Sequence, residues 1–191
     1  MPVGPQEPTP GSTADTSADA DPVEVARAIC LRQLTAGPRS RAQLSSALAR
    51  RNVPADAAEA VLDRFAEVGL VDDAEFARAW VESRHLGRGL SRRALEHELH
   101  SRGVAASDRA AALAAVDAES EEVAARQLVD RRLHATRGLD PAARTRRLVG
   151  MLARKGYPSG VALRVVRDAL GSEAQAAAGA WADEPAVTAD G

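Results

Sequence analysis

In this 191-residue chain, the basic side chains are the residues with the number and spacing for a functional role. Of the 25 lysine and arginine residues, 24 are arginine and only Lys155 is lysine. Any single one of them is more often a solvated helix residue paired with a nearby glutamate or aspartate. Together they predict a basic strip suited to DNA phosphates or to an acidic protein groove. The basic strip comprises Arg84, Arg88, Arg92, Arg93, Arg131, Arg132, Arg144, Arg147, Arg154 and Lys155.

No other set of side chains has the spacing of a catalytic or cofactor site. His97 and His100 share a helix face, but no third ligand stands at metal-site spacing. The acids within residues 72–75 occupy an N-cap and first turn, where a negative charge interacts favourably with the helix dipole. Cys30 lies on an apolar helix face, and residues 87–89 lack the further glycines and the lysine of a phosphate loop. We therefore predict no enzyme, no cofactor and no metal.

The charge of the chain is unevenly distributed along its length. The formal net charge is −2, yet residues 1–22 and 171–191 each carry four acids and no base. Residues 23–170 hold all 25 bases against the other 19 acids, for a net charge of +6. No apolar run has the length of a membrane span, the N-terminus does not resemble a secretory signal, and one cysteine permits no intrachain disulfide. We expect a cytoplasmic monomer with no membrane contact.

Helix start and stop signals divide the rest of the chain at regular intervals. Aspartate or serine N-caps begin the segments, proline often follows them, and glycine or asparagine ends them. Sustained two-residue alternation is absent from the sequence, which predicts no sheet. The predicted helices run from Asp21 to Gly37, Ser40 to Asn52, Pro54 to Gly69, Asp72 to Gly87 and Ser91 to Gly103, then over 107–117, 120–137, 141–155 and 159–170.

An internal repeat of about 50 residues organises these helices. Its anchors Leu44, Leu95 and Leu148 are 51 and 53 residues apart, and a second leucine follows each by four positions. The residue seven positions after each anchor is basic. The residue eight positions after it is asparagine or glycine, and the residue nine positions after it is valine or tyrosine. A short helix, a tight stop and a second helix packed back on the first explain this pattern. With the helix before each anchor, every repeat becomes a three-helix unit.

The predicted fold is therefore all-α, a tandem array of three three-helix modules, elongated and curved, with disordered tails. Its predicted parts are a disordered acidic tail over 1–21, module 1 over 22–71, module 2 over 72–118, module 3 over 119–171 and a disordered acidic tail over 172–191.

Four segments of the sequence resemble the RecX regulatory family, as does the repeat itself. They are residues 40–52, 69–78, 84–89 and 95–104. The resemblance covers about 24–170 and is most specific over 69–104, although Asn52 stands where the family usually has glycine. It implies a protein that binds the RecA recombinase and its filament on single-stranded DNA. It further implies inhibition of ATP hydrolysis, strand exchange and co-protease activity in recombination and DNA repair.

Two other functions remain open on the residues alone. The helix-turn-helix character of each module allows a stand-alone DNA-binding protein, although the second helices lack clustered base-reading side chains. An enzyme is the third possibility and would require turnover without RecA. The few aromatic residues are scattered, which argues against a base-stacking surface. We expect weak, non-specific DNA contact through phosphates alone.

Overall fold

A computed structural model describes the backbone of residues 21–182 and the side chains as far as residue 178. The described residues form nine α-helices and no strand, which confirms the predicted all-α class. The predicted disordered tails lie outside the described residues over 1–20 and 183–191. The helices are α1 (Pro22–Thr35), α2 (Arg41–Ala49), α3 (Ala55–Glu67), α4 (Asp73–Arg88), α5 (Arg92–Ser101), α6 (Ala106–Leu113), α7 (Ala118–Leu133), α8 (Pro141–Arg154) and α9 (Ser159–Ala182), with a 3-10 helix over His134–Thr136.

Short polar side chains begin most of these helices, as their sequence positions predict. Asp21, Asp72 and Ser91 accept hydrogen bonds from backbone N–H groups two or three residues ahead. Asp140 accepts two such bonds, from the first turn of α8. Asp117 caps α7 in the same way, so this helix begins two residues before its predicted start. Each of these side chains satisfies an N–H group that the first helical turn leaves without a backbone partner.

The repeat ends its second helix with the same turn three times. Asn52, Gly103 and Gly156 have left-handed backbones with φ of 56°, 73° and 91°. The backbone N–H of the next residue then donates to a leucine carbonyl five residues back, at 3.2 to 3.3 Å in all three turns. This is a Schellman stop, in which the residue after the turn packs against the helix it has left. The predicted stop is therefore confirmed in every repeat.

Three separate clusters of buried side chains accompany the three groups of helices. The first is built from α1 to α3 and Val71, the second from α4 to α6 and Val116, and the third from α7 to α9 and Tyr157. The leucines at the repeat anchors and four positions later are at most 1% exposed. Cys30 is fully buried in the first cluster, where burial raises the pKa of its thiol. Burial of each apolar helix edge is the main force that holds these short helices together.

The described chain divides into two compact units, one of residues 21–39 with 43–71 and one of residues 40–42 with 72–182. Inside the second unit, α4 to α6 meet α7 to α9 through backbone and side-chain contacts. The N–H of Ser91 donates to the carbonyl of Lys155 at 3.0 Å, and the hydroxyl of Tyr157 donates to the carbonyl of Gly89 at 3.2 Å. Burial, together with Glu121, raises the pKa of Tyr157 to about 12, so the hydroxyl remains a donor.

The predicted end of the last helix at Gly171 is wrong. α9 continues without a left-handed turn to Ala182, so the first part of the predicted 172–191 tail is helical. Two physical reasons account for the extension. Glu173 forms ion pairs that hold this turn, and residues 174–180 are rich in alanine, the best helix former. The remainder of that tail, and the side chain of Trp181, lie outside the described residues.

Candidate nucleic-acid interface

Positive charge is concentrated in the last three helices. Residues 119–171 hold eleven bases against six acids, whereas residues 72–118 hold seven bases against eight acids. The basic strip includes members from both ranges, so the surroundings of each arginine decide whether it faces a partner.

The arginines of α4 and α5 surround an indole ring. The guanidinium of Arg84 lies 4.2 Å from the ring centroid of Trp80, and that of Arg102 lies 3.7 Å from it. The indole N–H donates to Glu98 Oε2 at 2.7 Å, and Arg84 Nε lies 3.9 Å from the same oxygen. Both cations are thus held at the electron-rich ring. Arg84 also lies beside the Glu98 carboxylate, and Arg102 donates to the backbone carbonyl of Glu98 at 3.1 Å. Arg84 is an internal structural residue.

Arg92 donates hydrogen bonds to backbone carbonyls at and after the end of α6. Its Nη1 donates to the carbonyl oxygens of Leu113 and Val116, the latter at 3.0 Å, and its backbone N–H donates to Glu121 Oε1 at 2.8 Å. These bonds join α5 to the last residue of α6 and to the loop that follows it. Of the four basic-strip arginines in residues 72–118, only Arg88 and Arg93 are left exposed without such a role.

Arg144 has the same structural role in the last three helices. Its guanidinium pairs with Glu173 and donates to Thr136 Oγ1 at 2.9 Å and to the carbonyl of Leu133 at 3.1 Å. The side chains of Arg144 and Glu173 are only 16% and 15% exposed. Hydrogen bonds from Arg137 and Arg144 hold the pKa of the Glu173 carboxyl below its usual range. Arg144 therefore ties α8 to α9 and is not available to a ligand.

Three basic-strip arginines come together around a concave surface, which we call the basic cleft. Arg132 of α7 and Arg147 and Arg154 of α8 line a cavity of about 280 Å³. Thr136, Met151 and the buried Leu148 also line it. All three arginines are exposed. The structure thus places Arg132 beside Arg147 and Arg154, which follow it by 15 and 22 positions in the sequence.

The two remaining members of the basic strip lie apart from the basic cleft. Arg131 donates to the carbonyl of Gln127 at 3.2 Å and lines a cavity of about 480 Å³, with Leu86 and Val123 on its wall. Lys155 is the C-cap of α8 and is partly buried. The predicted strip is therefore not one continuous surface.

The other candidate residues have structural surroundings. His97 and His100 are exposed, as predicted, whereas His85 is buried and its Nδ1 lies 2.9 Å from the carbonyl oxygen of Leu90. Within the described residues, no three histidine, cysteine or acidic side chains are grouped as a metal site. Among the helices described, none combines the length and the apolar character needed to cross a membrane.

Family models for the three domains of RecX match most of the described chain. The first three-helix domain matches residues 26–65, the second matches 72–113 and the third matches 119–166. The regulatory protein RecX of Streptomyces coelicolor is 61% identical over 155 residues, covering 81% of this chain and 82% of the relative. That of Thermobifida fusca is 56% identical over 163 residues, covering 85% and 88%. The chain belongs to the RecX family.

Solved RecX structures share the fold. The crystal structure of RecX from Lactobacillus salivarius superposes with a TM-score of 0.68 at 13% identity, covering 79% of this chain and 98% of that one. A second RecX crystal structure gives a TM-score of 0.65 at 21% identity, covering 78% and 72%. At these identities the likeness supports the three-domain helical fold of RecX and nothing finer.

Sequence reasoning missed two structural roles in this RecX chain. Trp80 was predicted only as one of several scattered aromatic residues, yet it organises Arg84, Arg102 and Glu98. Its position one helical turn before Arg84 was a usable signal, because residues four apart share a helix face. The pairing of Arg144 with Glu173 joins residues 29 positions apart, and the sequence holds no local signal for it.

Proposed function

We propose that this protein binds the RecA recombinase and its filament on single-stranded DNA, and inhibits ATP hydrolysis, strand exchange and co-protease activity. Membership of the RecX family is the observation that carries this proposal. The relatives are named regulatory proteins, which favours action by binding rather than by turnover. Since the proposed partner acts on chromosomal DNA, the proposed location is the cytoplasm.

The distribution of exposed arginines supports a filament as the partner. Of the ten basic-strip residues, those that retain exposed cationic groups are concentrated in α7 and α8. A positive surface of this kind increases the rate of encounter with a polyanion and adds a contact that needs no base sequence. Specificity would then come from the protein part of the filament.

The direct test is the DNA-dependent ATPase of RecA from the same organism, measured on single-stranded DNA while this protein is titrated. We expect hydrolysis to fall at or below one copy of this protein per RecA. Unchanged hydrolysis in excess protein, with RecA shown to be assembled on the DNA, would contradict the proposal.

A stand-alone DNA-binding protein is the alternative, and the basic cleft is the observation that favours it. This alternative requires tight binding to naked duplex DNA that discriminates among sequences. Affinities measured on duplexes of unrelated sequence distinguish this alternative from the RecA-binding proposal. For a RecA-binding protein we expect weak and equal affinities that fall steeply with salt.

A further inference from the structure

The basic cleft holds more positive charge than its surroundings neutralise. Arg132, Arg147 and Arg154 are exposed around one cavity. Within the part of the chain whose side chains the structure describes, no carboxylate forms an ion pair with any of these three arginines. Like charges that share a concave site repel one another, and an anionic group placed among them relieves the repulsion. An acidic part of the same chain that reaches the cleft would therefore be attracted to it.

An acidic segment follows directly after the described part of α9. Residues 183–191, which we call the acidic segment, contain Asp183, Glu184 and Asp190 and no base. Its three acids match the three arginines of the basic cleft in number and are opposite in charge. Residues 1–20 also carry three acids and no base. They provide a control of equal charge at the other end of the chain.

The last helix passes beside the basic cleft. Glu173 of α9 pairs with Arg144, and Arg144 Nε donates to Thr136 Oγ1 at 2.9 Å. Thr136 is itself part of the cleft lining. From Glu173, α9 continues for nine residues to Ala182, which is about 14 Å along the helix axis. The acidic segment therefore begins a short distance from the cleft.

The acidic segment is long enough to return to the cleft. Asp190 follows Ala182 by eight residues, and an extended chain of eight residues spans about 26 Å. This span exceeds the distance that α9 covers beyond Glu173, so Asp190 can come back to the level of Thr136. Asp183 and Glu184 lie nearer the helix end and add attraction at low salt, where screening is weak.

We propose that the acidic segment binds the basic cleft of its own chain and competes there with DNA. The competition rests on the proposed function in that the displaced anion is the DNA of the filament. Because the contact is intramolecular, a weak affinity is enough for partial occupancy. The contact is electrostatic, since the cleft lining contains no aromatic side chain, and salt weakens it. The acidic segment thereby reduces binding to DNA that carries no RecA.

Zero-length cross-linking tests the contact in the absence of both DNA and RecA. A carbodiimide joins a carboxylate to an amine that touches it, and Lys155 is the only lysine of the chain. The variant R147K keeps the charge and places an amine in the basic cleft. Its matched control R146K places the amine at the neighbouring exposed position, outside the cleft lining.

We expect R147K, and not R146K, to give a link to Asp190 within one chain, identified by peptide mass spectrometry and lost at high salt. Absence of this link, or equal yields in the two variants, would overturn the proposal. Links that join two chains, or that involve the acids of residues 1–20, would also overturn it, because they would give the cleft a different occupant.

Anisotropy of fluorescein-labelled oligothymidylate, followed at several salt concentrations, tests the competition. The segment variant D183N/E184Q/D190N and the N-terminal variant E7Q/D15N/D19N each remove three acids from one end of the full chain. We expect the segment variant to bind about threefold more tightly than the wild type at low salt, and equally above about 0.5 M salt. The N-terminal variant should stay within about 1.5-fold of the wild type.

The gain in affinity must depend on the arginines of the cleft, which a double-mutant cycle shows. Added to the basic-cleft variant R132Q/R147Q/R154Q, the three substitutions of the segment variant should give no gain at low salt. Added to R131Q/R146Q/R167Q, which removes three exposed arginines of α7, α8 and α9 outside the cleft, they should give the full gain.

Three results would overturn the competition: no gain in the segment variant, an equal gain in the N-terminal variant, or a gain that persists without the cleft arginines. Neither measurement contains RecA. Failure of the proposed function would instead appear as unchanged ATP hydrolysis by RecA, so the two failures are distinguishable.

Discussion

The two halves of the second unit differ in how many arginines they leave exposed without an internal partner. In α4 to α6, Arg84 stacks on Trp80, and Arg92 donates to carbonyls at the end of α6 and in the loop after it. In α7 and α8, Arg132 and Arg147 face a cavity with no described carboxylate beside them. The spacing of arginine along a helix is similar in both halves, and the neighbours on other helices differ. An arginine becomes structural where folding brings it a carboxylate, a carbonyl or a ring, and remains available where folding brings it none.

The largest effect is expected where arginines of α4 to α6 have internal contacts. Trp80→Ala removes the ring that holds Arg84 and Arg102, and we expect the free energy of unfolding to fall by about 3 kcal/mol. Trp80→Phe keeps a ring face and loses only the hydrogen bond to Glu98, so it should cost about 1 kcal/mol. Equilibrium urea unfolding measures both. A Trp80→Ala protein as stable as the wild type would show that these arginines do not depend on the ring.

A pair of substitutions on one helix sharpens the comparison. Arg144→Gln breaks the contact with Glu173, and we expect a loss of about 2 kcal/mol in unfolding free energy. Arg147→Gln, on the same helix, removes an exposed arginine with no described ion pair and should change stability by less than about 0.5 kcal/mol. Thermal and urea unfolding of the two variants provide the measurement. Similar losses for both would remove the distinction between structural and available arginines.

The smallest effect concerns the pH dependence of the same contact. Arg137 and Arg144 lower the pKa of Glu173 in the folded protein below its ordinary value of 4.5. The ionised carboxylate therefore stabilises the fold above that value, and this contribution is lost as the pH falls through the lowered pKa. We expect wild type and Glu173→Gln to differ most in melting temperature near neutral pH, and the difference to shrink as the pH falls through the lowered pKa of Glu173. A constant difference over that range would show that ionisation of Glu173 does not matter.

Features determined by a few consecutive residues were predictable from the sequence. The N-caps Asp72, Ser91 and Asp140 needed only the side chain and the turn that follows. The helix stops at Gly103 and Gly156 were visible because the same residue types recurred at the same spacing in each repeat. N-caps and helix stops depend on local sequence, so neighbouring residues suffice to determine them.

Features that depend on distant contacts were not predictable in this way. The sequence identifies Gly156 as a helix stop, but not that a side chain there would meet Ser91 Oγ at 2.5 Å. Nor could it show that Arg92 reaches Val116, 24 positions away, while Arg132 reaches no carboxylate among the described residues. The basic strip stays a prediction for the residues that meet a partner. Composition counts arginines, and only the packing of helices shows which of them already have internal contacts.

The most direct measurement is the ATPase of RecA on single-stranded DNA, titrated with three forms of this protein. They are the wild type, the basic-cleft variant R132Q/R147Q/R154Q and the matched control R131Q/R146Q/R167Q. If the exposed arginines of the basic cleft contact the DNA of the filament, the cleft variant should require about tenfold more protein for half-inhibition. The control should inhibit like the wild type. Equal inhibition by all three forms would contradict the account.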